Sequence, residues 1–129
     1  MLEHLGGFSN TKVQKGKLMS FHDLINQYKK VLEYGYRDNV YMKIPGLGEI
    51  EPRPDLLSPS FTLIDSRRIV DMTFELFGSE KLMWGSDFPP VSNREGYRNA
   101  LNWIKESKSF SKKEKDDLFN KVPRKVFGI

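Results

Sequence analysis

The sequence predicts an α/β fold built from parallel βαβ units, and three observations carry that prediction. Apolar residues at helical spacing alternate with short apolar runs. After a strand remnant at the amino terminus the order reads helix, strand, helix, strand, helix, helix, the alternation that parallel sheets require. Leu82-Met83-Trp84 is apolar throughout, as suits a strand buried on both faces. That run passes directly into Gly85-Ser86-Asp87-Phe88-Pro89-Pro90, which leaves an acid at the carboxyl end of a strand, where parallel α/β folds carry their chemistry.

Each element has its own signal. Met1-Leu2-Glu3-His4 supplies the strand remnant before Gly6-Gly7, and a polar loop follows. Ser20 with Asp23 forms a capping pattern, and Phe21, Leu24, Ile25, Tyr28, Val31 and Leu32 recur at i, i+3, i+4 and i+7, which predicts an amphipathic helix ended by Gly35 and Asp38-Asn39. Val40 to Ile44 is short, β-branched at both ends and closed by Pro45-Gly46, so it reads as a strand. From Leu47 to Phe61, with Pro52, Pro54 and Pro59, a long loop is expected. Asp65 stands where it can cap the next helix, whose apolar face is expected to be Ile69, Met72, Leu76 and Phe77, with Gly78 as its stop. Beyond the proline-containing loop that runs to about Arg94, Tyr97, Ala100, Leu101 and Ile104 predict another helix. Ser111 and Glu114 then open a charged helix whose buried side is Leu118 and Phe119. No internal repeat or low-complexity tract interrupts the chain, so one domain over residues 1–129 is expected.

Composition narrows the function classes. The net charge of +4 and a pI near 9.3 raise the question of a polyanionic partner. Lys105, Lys108, Lys112, Lys113 and Lys115, however, alternate with Glu106, Glu114, Asp116 and Asp117, which reads as a solvated helical face rather than a basic stripe. No nucleic-acid partner is expected. Cysteine is absent, which removes disulfides, thiolate metal sites and cysteine nucleophiles, so any metal must be held by His, Asp or Glu. No apolar run approaches the ~20 residues of a membrane span and no signal-peptide pattern opens the chain, so a cytoplasmic location without a membrane partner is expected.

Four residues are candidates for chemistry. Asp87 reads as a strand-end catalytic carboxylate or as a turn former before two prolines. His4, followed by Leu5-Gly6-Gly7, reads as a structural histidine or as an acid/base group beside a closely approaching ligand. Lys43, on the middle strand, points to a substrate carboxylate if it faces inward, since a buried ammonium needs an anionic partner. Arg53, in the proline-rich segment, offers a bidentate fork for carboxylate or phosphate, or else an exposed surface charge.

Glu3-His4-Leu5-Gly6-Gly7, Val40-Tyr41-Met42-Lys43-Ile44-Pro45-Gly46-Leu47-Gly48 and Met83-Trp84-Gly85-Ser86-Asp87-Phe88-Pro89, in that order, resemble the carboxyl-terminal part of the amidohydrolase-related (amidohydrolase 2) proteins. This is a branch of the metal-dependent hydrolase superfamily that includes lactonases and metal-dependent decarboxylases. Val122-Pro123-Arg124-Lys125-Val126-Phe127-Gly128-Ile129 is similar to the family's final helix. The resemblance implies about the last three strands and their helices of a (β/α)8 TIM barrel. At 129 residues the chain is about half of such a barrel, which needs ~250, and is incomplete as a closed one.

The resemblance also implies roles. Asp87 would ligate a divalent cation such as zinc or manganese and take the proton of its bound water, or activate water without an ion. His4 would donate, accept or polarise beside it. The family's His-x-His pair of metal ligands does not occur here, nor does its further histidine on the fifth strand, and Val122-Pro123 replaces a frequent Asn-Ala. Asp87 and His4 fall short of the roughly three protein ligands of a zinc site, so a metal is expected in the complete enzyme and not on this chain alone. The leading expectation is hydrolysis of a lactone or another cyclic or acidic carbonyl compound, with decarboxylation as the alternative. A different class of reading is a non-catalytic truncated module that self-associates or pairs with an amino-terminal half, because open sheet edges invite pairing.

Overall fold

The structure is a computed structural model that describes residues 1–8, 13–14, 16–50 and 63–129. Its centre is a parallel pair, β3 (Met42–Ile44) and β4 (Leu82–Trp84), in the register Met42↔Leu82, Lys43↔Met83 and Ile44↔Trp84. Leu2 extends the pair by one parallel bridge to Met42, taking a hydrogen bond from Lys43 N and giving one to Tyr41 O. The expected three strand positions are therefore present in spatial order, with the first reduced to a single bridge. Met42, Ile44, Leu82 and Met83 are buried, as a sheet covered on both faces requires.

After Leu2 the chain makes one turn, α1 (His4–Gly7), whose four φ angles are all positive. The polar segment beyond it contains an antiparallel hairpin not expected from sequence, β1 (Val13–Gln14) with β2 (Lys17–Leu18), turning at Gly16, where φ is +74°. Helix α2 (Phe21–Leu32) begins where its capping pattern predicts: Ser20 Oγ accepts from Asp23 N at 3.1 Å. Leu24, Tyr28 and Leu32 form its buried side, with Phe21, Ile25 and Val31 packed at the margin. A 3-10 turn at Glu33–Tyr36 ends it, and Gly35 is buried there, where a Cβ would meet the ring of Phe77 at 2.8 Å.

The expected long loop begins differently, since Leu47–Ile50 forms the short helix α3; the rest of that expectation, and Arg53 with it, lies outside the described residues. Helix α4 (Leu63–Phe77) starts two residues before Asp65, so Asp65 sits in its first turn and is not its cap. Ile69 and Phe77 are buried as expected and Met72 packs against the core, but Leu76 is 43% exposed. Val70 and Thr73 take the core side instead, a rotation of the buried stripe that becomes visible only once the helix lies on α2.

Helix α5 (Tyr97–Lys105) buries Ala100 and Ile104, while Tyr97 at its start is half exposed and stands edge-on to Trp84, ring centres 5.4 Å apart. The last helix runs from α6 (Lys112–Asp116) through a π-helical stretch (Asp117–Lys121) into α7 (Val122–Phe127). Ser111 and Glu114 close a complete capping box at its start. Pro123 lacks an N–H and would collide with the carbonyl four residues back in a regular helix, and that carbonyl, of Phe119, belongs to the wider π stretch. The expectation of a wholly solvated charged face needs one correction: Asp117 is buried, accepting from Ser79 Oγ at 2.7 Å and from Lys113 Nζ at 2.6 Å. No helix among the described residues is long and apolar enough to cross a membrane.

Candidate active site

The carboxyl ends of Leu2, β3 and β4 open into one cleft of about 490 Å³. Glu3, His4, Lys43, Pro45, Trp84, Gly85, Ser86, Asp87 and Phe88 line it from the strand ends, and Pro123 and Phe127 close it from the last helix. Parallel topology accounts for the gathering: strands that point the same way deliver their next residues to the same end of the sheet.

His4 and Asp87 meet there. His4 Nε2 lies 3.4 Å from Asp87 Oδ1, an ion-pair separation when the imidazole is protonated and longer than a tight hydrogen bond. Both residues hold a left-handed backbone, with φ of 46° at His4 and 55° at Asp87, and Leu5 follows at 52°. Such a conformation costs a non-glycine residue roughly 1–2 kcal/mol and persists only where the surrounding structure holds it. At His4 the turn is maintained by Gly7 N donating to Glu3 O at 3.1 Å, with glycines supplying the other positive φ angles at Gly6 and Gly7. At Asp87 the carbonyl accepts from Val91 N at 3.0 Å, which ties the following loop to the strand end; Phe88-Pro89 is a cis peptide.

The second oxygen of Asp87 is also engaged. Arg94 Nη1 donates to Asp87 Oδ2 at 2.6 Å, and Arg94 Nε donates to Glu95 Oε2 at 3.2 Å. The Arg94 side chain is only 8% exposed, so this pairing is screened less than a surface salt bridge would be. Glu95 reaches across to the end of β3: a Cβ on Gly46 or Gly48 would run into its carboxylate. The two strand-end loops are thus joined through Arg94-Glu95.

Lys43 lines the cleft, with its Nζ 2.9 Å from Glu3 Oε1 and its stem against Gly85. Arg53 lies outside the described residues. Sequence reading brings His4, Lys43 and Asp87 to the site but misses Arg94, Glu95 and Glu3. One signal is available: Arg94-Glu95 is an adjacent pair of opposite charges in a loop after the strand-end acid that carries no other charge. Among the described residues no three His, Cys, Asp or Glu side chains cluster so as to hold a metal ion.

The family model described as amidohydrolase matches residues 22–129. No curated protein sequence matches the chain. Among solved structures, an amidohydrolase from Burkholderia multivorans with bound HEPES superposes with a TM-score of 0.73 at 18% identity, over 99% of this chain and 44% of its own. The same description from that organism, with bound zinc, gives 0.67 at 19%, over 98% and 43%. A protein from Acinetobacter baumannii assigned as a 2-pyrone-4,6-dicarboxylic acid hydrolase, with citric acid bound, gives 0.68 at 22%, over 98% and 42%. At these identities the likeness establishes the fold, and the chain spans less than half the length of these structures.

Proposed function

The chain belongs to the amidohydrolase family, and from that membership we propose that it is the carboxyl-terminal part of a hydrolase in which water attacks a lactone or a related cyclic or acidic carbonyl compound. The observation that carries this reading is the His4–Asp87 pair, 3.4 Å apart on two strained strand ends in one cleft. Asp87 is the general base: it takes a proton from water as the water oxygen bonds to the carbonyl carbon. His4 polarises the carbonyl and then supplies a proton to the ring oxygen as the ester C–O bond breaks, and the proton on Asp87 then passes to His4, which restores both groups. Lys43, held at the cleft by Glu3, and Arg53 would bind acidic groups of the substrate.

The described residues do not fit a metal centre by themselves. Asp87 and His4 offer two donors where a zinc site takes about three protein ligands, and Asp87 Oδ2 is already occupied by Arg94. A zinc or manganese ion at Asp87 would therefore need ligands from further strands of a completed barrel, where it would lower the pKa of a bound water.

A second reading has its own support. Among the described residues the parallel sheet consists of β3, β4 and one bridge, so its edges are open to another chain. The polypeptide would then act only once paired with an amino-terminal half or with copies of itself.

Size-exclusion chromatography with light scattering, combined with lactone hydrolysis in the presence and absence of Zn²⁺ or Mn²⁺, tests both readings. Turnover carried by an assembled species and lost in Asp87→Asn is the expected result. Turnover that survives Asp87→Asn would overturn the catalytic assignment, and a folded, active monomer would overturn the need for a partner.

A further inference from the structure

The geometry points to Arg94 as the built-in cation of this site: it holds Asp87 by one oxygen, leaves the other to His4, and closes the carboxylate to a divalent ion. This rests on the assignment of Asp87 as the reactive carboxylate. The relevant distances are 2.6 Å from Arg94 Nη1 to Asp87 Oδ2 and 3.4 Å from His4 Nε2 to Asp87 Oδ1. The two oxygens of one carboxylate thus face two different groups. A metal taking the Arg94 side of Asp87 would have to displace a charge-assisted hydrogen bond, the stronger kind, and would come to lie beside a guanidinium that cannot lose its charge.

Three features indicate that Arg94 is a fixture of the site. Its side chain is 8% exposed, so it does not swing freely into solvent. Its Nε is committed to Glu95 Oε2 at 3.2 Å, which sets the plane of the guanidinium. Its backbone is locked by the turn after Asp87, with Arg94 N donating to Val91 O at 3.2 Å and Gly96 N to the same carbonyl at 2.9 Å. Glu95 in turn rests against Gly46, where a Cβ would also meet the Cα of Ala100 at 3.0 Å, so the brace is anchored on both the β3 loop and helix α5. Arg94 is therefore a positioning residue. It touches no reacting atom, but it fixes where the Asp87 carboxylate points and what charge accompanies it.

Metal binding by the whole chain near neutral pH tests this without requiring turnover. Zn²⁺ is titrated calorimetrically, and Co²⁺ is titrated by visible absorption, into the wild type, Asp87→Asn, Arg94→Met and Arg94→Lys, with folding followed by circular dichroism. The component assigned to the site is the one that Asp87→Asn removes. We expect no such component in the wild type. In Arg94→Met a weak Asp87-dependent component should emerge, weak because Asp87 and His4 supply only two donors, and roughly tenfold or more above the limit that the wild type sets, as removal of one neighbouring cation predicts. Arg94→Lys, which restores the charge, should return to wild-type behaviour. Stoichiometric, Asp87-dependent Zn²⁺ binding by the wild type would overturn the proposal even if Arg94→Met failed to fold, and an Arg94→Met protein that folds but gains no affinity would overturn it as well. Failure of the hydrolytic reading would show in the turnover assay and leave these titrations unchanged.

Discussion

Asp87 and Asp117 are both aspartates withdrawn from solvent and held by a cation, yet their surroundings prepare them for different work. Asp117 is 6% exposed, lies on a helical backbone with φ of −57°, and has its carboxylate taken up by Ser79, Lys113 and Lys121. Asp87 is 19% exposed, holds a left-handed backbone at a strand end, lines a cleft and shares its oxygens between Arg94 and His4. One acid is enclosed by partners that reward folding. The other is kept at a conformational cost with a side turned to the cleft. Burial of a carboxylate alone therefore says little about its role, and backbone conformation together with the open side separates the two.

The largest expected effect concerns the partner of Asp87. His4→Asn keeps a residue that tolerates the left-handed backbone and removes the imidazole, so turnover by the assembled enzyme should fall by about 10²-fold or more, the usual share of a general acid or base, while the unfolding midpoint stays near that of the wild type. Steady-state hydrolysis and thermal melts on the same preparation would show this. A fall in stability matched by a modest loss of turnover would make His4 a structural residue and erase its likeness to a poised group.

Asp117→Ala should do the reverse, lowering stability by about 1–2 kcal/mol for the lost buried hydrogen bonding with turnover intact, as measured by urea denaturation. The acid limb sharpens this. Burial pushes the Asp117 carboxyl up, but the Lys113 and Ser79 hydrogen bonds together with the nearby ammonium charges outweigh it and hold the group below its ordinary value. A carboxyl depressed in the native state contributes stability that is fully present above the unfolded value of about 3.9 and is lost as pH falls through the native one. The wild type should therefore lose stability below about pH 4 more steeply than Asp117→Ala does.

The smallest effect belongs to the core. Tyr28 Oη lies 2.5 Å from Thr73 Oγ1, and Thr73 Oγ1 also donates to Ile69 O. Tyr28→Phe should cost about 1 kcal/mol because Thr73 retains a partner. Burial raises the phenol above its ordinary value. The stability linked to its neutral form is present below the unfolded value near 10 and declines as pH rises beyond it, so the variant should melt with a flatter alkaline limb.

Most of the fold is legible in the sequence, and what is not has identifiable causes. The i, i+3, i+4 stripe and the Ser20 cap place α2, and the Ser111–Glu114 box places the start of the last helix, because caps and periodicity are local. The stripe places Leu76 inward, whereas it lies outward, since the side of α4 that is buried depends on where it meets α2. The charge pattern places Asp117 on a solvated face because its pairing with Ser79 spans 38 residues and leaves no local signal. At the site, the Trp84-Gly85-Ser86-Asp87 run and His4 before two glycines were visible as motifs. Arg94 and Glu95 carry no such motif, because their placement depends on a turn that folds back onto Asp87 and on glycines at the end of β3.

The most direct measurement sets Asp87→Asn beside Asp117→Asn, each assayed for lactone turnover in the assembled state and for the midpoint of thermal unfolding. The account predicts that Asp87→Asn loses turnover by about 10²-fold or more with its midpoint preserved, while Asp117→Asn lowers the midpoint and retains turnover. Turnover that persists in Asp87→Asn, or disappears only with stability in both variants, would contradict it.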